Sequence, residues 1–368
     1  MTNSLHELLT RHVEDGTMPG VVGTDGEEFA PISIGLDAPD GAPLEIDTIF
    51  RIQSMTKTVV AAATLRLVQD GVMTLDDPIG AWLPELAEPR VLAHPDAPLE
   101  ETQPARRPIT VRHLLTHQSG YGVMTADTPL RQAMIDRGVE AGAEPVALGA
   151  QDWLDALASL PLAFQPGDGW RYHHDFGLLG ILLGRLGRGS TEDVLAETVF
   201  TPAGMVDTGF TVPSEQAHRL PAVFQRTAEG FEACEPAGAG FYVAPAPFDV
   251  SHSELVSTVG DYHAFLSALR DGRLIDSDLR DEMCRDQVDQ AAKTLDSFYP
   301  GFWEGMGWGY GVSVVTDGPD RGRFSWSGGL GTDFFVDPDG RICLAMMQVA
   351  MDERVFALLA ELRGLGRA

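Results

Sequence analysis

Residues 50–65 constrain this chain more than any other stretch. They read Phe50-Arg51-Ile52-Gln53-Ser54-Met55-Thr56-Lys57-Thr58-Val59-Val60-Ala61-Ala62-Ala63-Thr64-Leu65. After Arg51 the one charged side chain is Lys57, set in a run of apolar and small residues. A helix of that kind is apolar around its circumference and belongs in a core. Ser54 and Lys57 are three apart, so they share a helix face. A serine hydroxyl is a weak nucleophile until a base takes its proton. Burial lowers a lysine pKa towards the range where the amine can act as that base, and a helix N-terminus favours developing negative charge. Lys and Arg total 26, yet lysine occurs only at Lys57 and Lys293. Of the two cations, only lysine loses its proton near neutral pH. The tetrapeptide alone also reads as a serine N-cap followed by a surface lysine.

The rest of the chain predicts strands at both ends and helices between. Leu5, Leu8, Leu9 and Val13 fall on one face of a helix over residues 3–14. Residues 20–35 alternate like a β-hairpin, and 48–52 read as a short strand entering the Ser54 helix, which Gly71 ends. Residues 71–108 are rich in Pro, Asp and Glu and read as turns and loop, with a short helix over 79–83. Helices follow over 110–117, 152–160, 175–186 and 191–200, then Gly- and Pro-rich loops over 201–250 and a helix over 257–270. From 307 onward short strands are expected at 309–315, 323–327, 333–337 and 342–349, with an amphipathic helix over 352–366 closing the chain. The expected class is α+β: an antiparallel β-sheet flanked by the N- and C-terminal helices, plus a mainly helical domain. The expected division is 1–75 with 251–368 for the sheet domain and 76–250 for the helical one, the active site lying between them.

Bulk properties remove several function classes. A net charge of −28 argues against a nucleic-acid partner, which requires a basic footprint, and against anionic membrane surfaces; it also slows the approach of anionic substrates. No apolar run reaches the ~20 residues of a membrane span. Residues 1–9 show neither a basic region nor an apolar core, so the expectation is a cytoplasmic protein without a signal peptide. Cys234, Cys284 and Cys343 are few and widely spaced, as suits reduced, buried thiols. His113 and His117 have a helical zinc-ligand spacing without the glutamate of a zincin, and read as structural. No metal or cofactor is expected. Gly-x-Ser-x-Gly is absent, and Gly307-Trp308-Gly309-Tyr310-Gly311 is followed by no helix, so it reads as a strand passing close to a pocket. Trp303, Trp308, Tyr242 and Phe241 are candidates for lining an acyl pocket.

Three separated motifs line up in order: Ser54-Met55-Thr56-Lys57, Tyr172-His173-His174 at a helix start, and Trp326-Ser327-Gly328-Gly329 on a strand. The phrases Ile109-Thr110-Val111-Arg112-His113-Leu114-Leu115-Thr116-His117-Gln118-Ser119-Gly120, Phe164-Gln165-Pro166-Gly167 and Asp261-Tyr262 accompany them. Over nearly its whole length the chain resembles the serine β-lactamase-like (β-lactamase/transpeptidase-like) family, which includes class C β-lactamases, D-Ala-D-Ala peptidases, D-aminopeptidases and family VIII carboxylesterases. The resemblance implies Ser54 as the acylated nucleophile, Lys57 as general base or proton-relay group, and Tyr172 as a partner in proton transfer whose phenol a nearby ammonium would make more acidic. It implies an oxyanion hole made by the backbone N–H groups of Ser54 and Gly329. His174, Trp326, Ser327 and Gly328 are the implied substrate-binding positions.

Two departures narrow the substrate. The third motif opens with Trp326 where the lactamases and peptidases carry Lys or His to grip a carboxylate, and family VIII esterases resemble this chain there. The second motif ends in His174 where Asn or Ser is usual; His174 could bond Lys57 or Tyr172, or cap the helix. Arg321 and Arg323 lie just upstream and could replace the lost cation. The expected function is a carboxylesterase acting on small neutral esters, with a β-lactamase or D-amino-acid peptidase or amidase as the alternative within the same chemistry, and a non-catalytic ligand-binding protein outside it. The expected partner is a small-molecule ester or amide substrate. Oligomeric state is not legible.

Overall fold

A computed structural model describes residues 4–365 apart from 143–145, 188, 245, 247, 248, 250 and 296. Its frame is a seven-stranded sheet built from β1 (Gly20–Gly26), β2 (Ile32–Gly35), β3 (Met306–Trp308), β4 (Ser313–Val315), β5 (Phe324–Gly328), β6 (Thr332–Val336) and β7 (Ile342–Met346). The order is β2-β1-β7-β6-β5-β4-β3, and every neighbouring pair is antiparallel. The two ends of the chain join where β1 pairs β7, with Val22 opposite Met346 and Gly26 opposite Ile342. The α+β class and its antiparallel sheet are therefore as the sequence predicts.

Alternation along the strands sorts side chains to two faces. On one face Phe335, Cys343 and Ala345 pack with Leu5, Leu8 and Leu9 of the Leu5–Glu14 helix and with Val355, Leu358 and Leu362 of the Glu353–Arg363 helix. On the other, Phe334, Val336, Ile342, Leu344 and Met346 meet the main core, which includes Tyr262, Phe265 and Leu266 of the Val259–Arg270 helix. Each fully buried side chain of this size contributes about 1.5–3 kcal/mol. The Thr56–Gln69 helix runs through that core, buried without a break from Thr56 to Leu65. Further helices come from the middle of the chain, His174–Gly187 being the longest of them. Among the described residues no helix is long and apolar enough to cross a membrane.

Several expectations change. Ser54 lies in a 3-10 turn, Gln53–Met55, immediately before the α-helix rather than in its first turn. The strand before it is only Phe50–Arg51, paired with Val256–Ser257. The loop expected over 201–250 contains an antiparallel pair, Val223–Thr227 with Gly230–Glu235, turned at Gly230. Cys234 is exposed on that pair, so only Cys343 is a fully buried thiol. β3 was hidden in a glycine-rich run, and Gly309–Gly311 form the turn between it and β4, closed by the Gly309 N–H on the Val312 carbonyl at 2.9 Å. The expected helices over 3–14 and 352–366 are Leu5–Glu14 and Glu353–Arg363. Residues 3, 250 and 366, on which expected boundaries fell, lie outside the described residues.

Candidate active site

The local chain around Ser54 is pinned from several sides. The Tyr262 hydroxyl donates to the Met55 carbonyl at 2.9 Å, the Ile52 N–H donates to the Leu255 carbonyl at 3.0 Å, and the Leu255 N–H donates to Thr56 Oγ1 at 3.1 Å. Gln53, directly before the serine, takes a φ of 48°. Positive φ is costly for a non-glycine residue, and such strain persists where the surroundings over-determine it. The three described non-glycine residues with positive φ are Gln53, His117 and His173. His173 follows Tyr172 in sequence, and the His117 ring lies 4.9 Å from the Tyr172 ring.

Lys57 is wholly buried, and its Nζ lies 3.1 Å from Ser54 Oγ. The same nitrogen donates to the backbone carbonyl of His252 and lies 4.4 Å from the centre of the Tyr172 ring. Burial pushes the Lys57 pKa down from 10.5 to about 7, and the Glu254 carboxylate opposes that fall. Ser54 is only half-buried, so its hydroxyl can be reached.

Tyr172 is placed by zipping residues 117–123 onto 171–172: Arg171 N–H to the His117 carbonyl at 3.0 Å, and Val123 N–H to the Tyr172 carbonyl at 2.8 Å. Its phenol hydrogen-bonds the Ser54 side chain and accepts the Trp326 indole N–H at 2.7 Å. The expectation of an acidified phenol is corrected here. Burial drives the Tyr172 pKa well above 10, and the bonds to Ser54 and Trp326 only partly offset it. Tyr172 is a neutral phenol near pH 7, and Lys57 is the member of the trio that burial brings close to neutrality.

The third motif closes against the serine turn. A Cβ on Gly328 would lie 2.3 Å from the Ile52 carbonyl oxygen and 2.2 Å from Thr332 Oγ1, which itself donates to Ile52 O at 3.2 Å. Only glycine permits that approach. Beyond it, Gly329 is exposed, and a Cβ there would meet nothing nearer than Gln53 Oε1 at 3.9 Å. Ser54 and Gly329, the two expected oxyanion donors, are thus carried on segments locked to each other. Gly311, with a φ of 72°, sits so close to the Thr56–Gln69 helix that a Cβ would be 2.9 Å from the Lys57 carbonyl. The glycine-rich run therefore passes tightly behind the site.

Other expected positions fall elsewhere. His174 bonds neither Lys57 nor Tyr172: its Nε2 meets the Val139 carbonyl at 2.7 Å and its ring stacks on Trp153. Burial pushes its pKa to about 4, so it stays uncharged. Ser327, on the opposite strand face from Trp326, gives its hydroxyl to Asp333 and accepts from Arg363 Nη2 at 3.0 Å, so its side chain serves the frame. Arg323 does not replace the missing cation. It is buried over the Phe335 ring and paired with Asp337 at 2.6 Å. Arg321 sits in the exposed turn between β4 and β5. Arg363, which sequence reading passed over, is the cation nearest the third motif, and Asp333 neutralises it at 2.9 Å. Trp308 is fully buried behind Tyr172 and Trp326, Trp303 packs on Trp170, and Tyr242, with Phe241 against it, accepts the Gln53 side-chain amide at 3.1 Å. Phe298 was missed, yet its ring lies 4.8 Å from that of Tyr172. Its ring also lies 5.0 Å from that of Tyr299, which is exposed. Among the described residues, no His, Cys, Asp or Glu cluster is arranged to hold a metal ion: His113 Nδ1 accepts the Thr110 N–H, and the His117 ring is enclosed by Trp170, Tyr172, Phe176 and Trp308.

The Beta-lactamase family model matches residues 5–365. The chain belongs to the beta-lactamase family. An uncharacterized Mycobacterium tuberculosis (strain CDC 1551 / Oshkosh) protein, MT1414, is 37% identical over 325 residues, 84% of this chain and 79% of that one. Esterase EstB of Burkholderia gladioli is 32% identical over 344 residues, 86% of this chain and 81% of its own. The fold is also that of EstCE1, a hydrolase with promiscuous acyltransferase activity: TM-score 0.80 and 23% identity, covering 97% of this chain and 96% of that one. The relatives of this family member thus include hydrolases, esterases and acyl-transferring enzymes.

Proposed function

We propose that the chain is a serine hydrolase that forms an acyl-enzyme on Ser54 and acts on small neutral esters. The observation that carries the reading is the buried Lys57 amine, 3.1 Å from the Ser54 hydroxyl and brought to about pH 7 by desolvation. In this mechanism the neutral amine takes the Ser54 proton as Oγ attacks the ester carbonyl. The backbone N–H groups of Ser54 and Gly329 receive the negative charge on the carbonyl oxygen, the kind of fixed-donor stabilisation worth ~3 kcal/mol per donor. Tyr172, a neutral phenol between Ser54 and Trp326, passes a proton to the departing alkoxide and regains one from the Lys57 ammonium. Water then attacks the acyl carbon by the same route in reverse. The site lies between the sheet part (1–75 and 251–368) and the helical part (76–250), with no cofactor.

The choice of ester over β-lactam or peptide carboxylate rests on charge. Trp326 carries none and spends its N–H on Tyr172. Arg323 and Arg363 are held by carboxylates. An anionic substrate would meet a chain of −28 whose Arg323 and Arg363 are already paired. The Phe298 ring, 4.8 Å from that of Tyr172, offers an apolar surface that suits a hydrocarbon acyl or alcohol group. The test offers p-nitrophenyl butyrate, nitrocefin and D-alanyl p-nitroanilide to wild type and Ser54→Ala. Ester turnover lost in the variant is the expected result. Nitrocefin as the faster substrate overturns the ester assignment, and ester turnover surviving in Ser54→Ala overturns the serine mechanism.

A further inference from the structure

Tyr172 is wrapped in rings. Among the described residues six lie within 6.0 Å of its own, centre to centre: His117, Trp170, His173, Phe298, Trp308 and Trp326. Five of them are buried, none more than 9% exposed, whereas Phe298 is only half-buried. Phe298 is also the nearest of the six, at 4.8 Å with the ring planes tilted by 41°. Of the rings on Tyr172 it is thus the one that both touches the phenol and reaches solvent.

Its place is fixed by packing. Phe298 stands edge-on to Phe302 at 5.4 Å, and Phe302 lies 5.3 Å from Trp170 and 4.6 Å from Trp303. Trp303 carries the Lys293 amine over its ring at 5.4 Å. That amine pairs with Asp286, which also accepts the Trp308 N–H at 3.1 Å. Trp308 meets Trp326 at 4.6 Å, and the Trp326 indole holds the Tyr172 hydroxyl. One set of contacts therefore ties Phe298 to both the ring and the hydroxyl of Tyr172. A side chain locked in this way can discriminate between ligands.

We propose that Phe298 is a specificity-determining residue, one wall of the subsite for the alcohol part of the ester, and that this subsite favours a bulky apolar alcohol, best an aromatic one. The inference rests on the reading of Tyr172 as proton donor to the leaving group. When the C–O bond to the alcohol breaks, its electron pair goes to the alcohol oxygen, which takes the Tyr172 proton. The Lys57 ammonium returns a proton to the phenolate, and the acyl group stays on Ser54 Oγ. Proton transfer needs the alcohol oxygen within hydrogen-bond reach of the Tyr172 hydroxyl. The substituent on that oxygen then meets Phe298, the ring on Tyr172 with surface to spare. Phe298 has no hydrogen bond to offer, and its face or edge suits a second aromatic ring.

The test uses full-length enzyme and two ester series. Methyl, butyl and benzyl butyrate vary the alcohol; methyl acetate, butyrate and hexanoate vary the acyl group. In wild type benzyl butyrate is expected to have the highest kcat/KM of the first series. Phe298→Ala should lower the benzyl-to-methyl ratio of kcat/KM about tenfold, the order expected for loss of one aromatic contact, and leave the acyl series in its wild-type order. Phe298→Leu, apolar but without a ring, should fall between the two, and its ratio decides the matter should Phe298→Ala not fold. Equal losses on methyl and benzyl butyrate would mean that Phe298 only props Tyr172, and would overturn the proposal. So would a wild type that prefers the methyl ester, a wild-type ratio in the variants, or an altered acyl order with the ratio unmoved. Tyr172→Phe that cleaves methyl and benzyl butyrate at the wild-type rate overturns the underlying proton-donor reading instead, so the two failures are distinguishable.

Discussion

Replacing Lys57 with methionine exposes what the candidate base costs the fold. A lysine whose pKa falls from 10.5 to about 7 on folding carries a penalty of roughly 5 kcal/mol at or below neutral pH, since each pH unit corresponds to about 1.4 kcal/mol. The sign follows from proton counting. Between the two values the unfolded chain binds the proton and the folded chain does not, so wild-type stability rises with pH across that window. From pH 7.5 to 9.5 the rise is about 3 kcal/mol. Lys57→Met has no such proton to exchange. Loss of the bond to the His252 carbonyl shifts its stability by an amount independent of pH. Glu254, pushed up to about 8 by burial, rises further once the ammonium is gone and then lowers the variant's stability as pH rises, which widens the gap in the same direction. Urea unfolding of both proteins at pH 7.5 and 9.5 gives the comparison, and repulsion among the many carboxylates cancels in the difference. The wild type should gain about 3 kcal/mol or more on the variant over that interval. A gap that does not move with pH would mean that Lys57 titrates alike in both states, and the argument for it as base would fail.

Four further outcomes are expected. The kcat/KM of ester hydrolysis should climb through an acid limb near pH 7 as Lys57 loses its proton; a limb near pH 4–5, or none, would place the base elsewhere. Trp326→Phe removes the 2.7 Å donor to Tyr172, worth roughly 1 kcal/mol, so kcat should fall several-fold to about tenfold with thermal stability nearly intact. Gly328→Ala, whose Cβ meets backbone at 2.3 Å, should cost ~1–3 kcal/mol of stability and most activity, whereas Gly329→Ala, open to 3.9 Å, should fold normally; thermal melts of the pair test the packing at the strand end. Arg51→Met leaves the Pro221 carbonyl and Gln348 Oε1 without their buried donor and the partly exposed Glu235 without its 3.0 Å partner, and should lower stability by about 1–3 kcal/mol in urea unfolding.

What could be read from the sequence was mostly local. The Ser54–Lys57 contact follows from a three-residue spacing, and the burial of Lys57 follows from the run of small and apolar side chains, Val59 to Ala63, that continues its helix. The sheet was legible because its strands alternate, as Phe334, Phe335 and Val336 do between two cores. The strand pair at 223–235 was lost because flanking glycines and prolines outweighed a short alternation around Gly230. Residues whose role depends on where a distant segment turns were not legible. The Trp326 indole reaches Tyr172 across 154 positions of sequence, and nothing near Phe298, Arg363 or Glu254 marks them out. His174 was misplaced for a related reason: it opens a helix beside Tyr172, but helical geometry points its ring to Val139 and Trp153. Tyr172 does stand against Ser54, but its expected acidity is reversed, because burial of the phenol outweighs the hydrogen bonds it makes.

The most direct measurement is a rapid quench of wild-type enzyme with p-nitrophenyl butyrate, followed by peptide mass spectrometry. The account predicts a butyryl group on the peptide containing Ser54 within the first turnover, at the position where Ser54→Ala carries none. Butyrylation of another residue, or full turnover with no covalent species on Ser54, would contradict it.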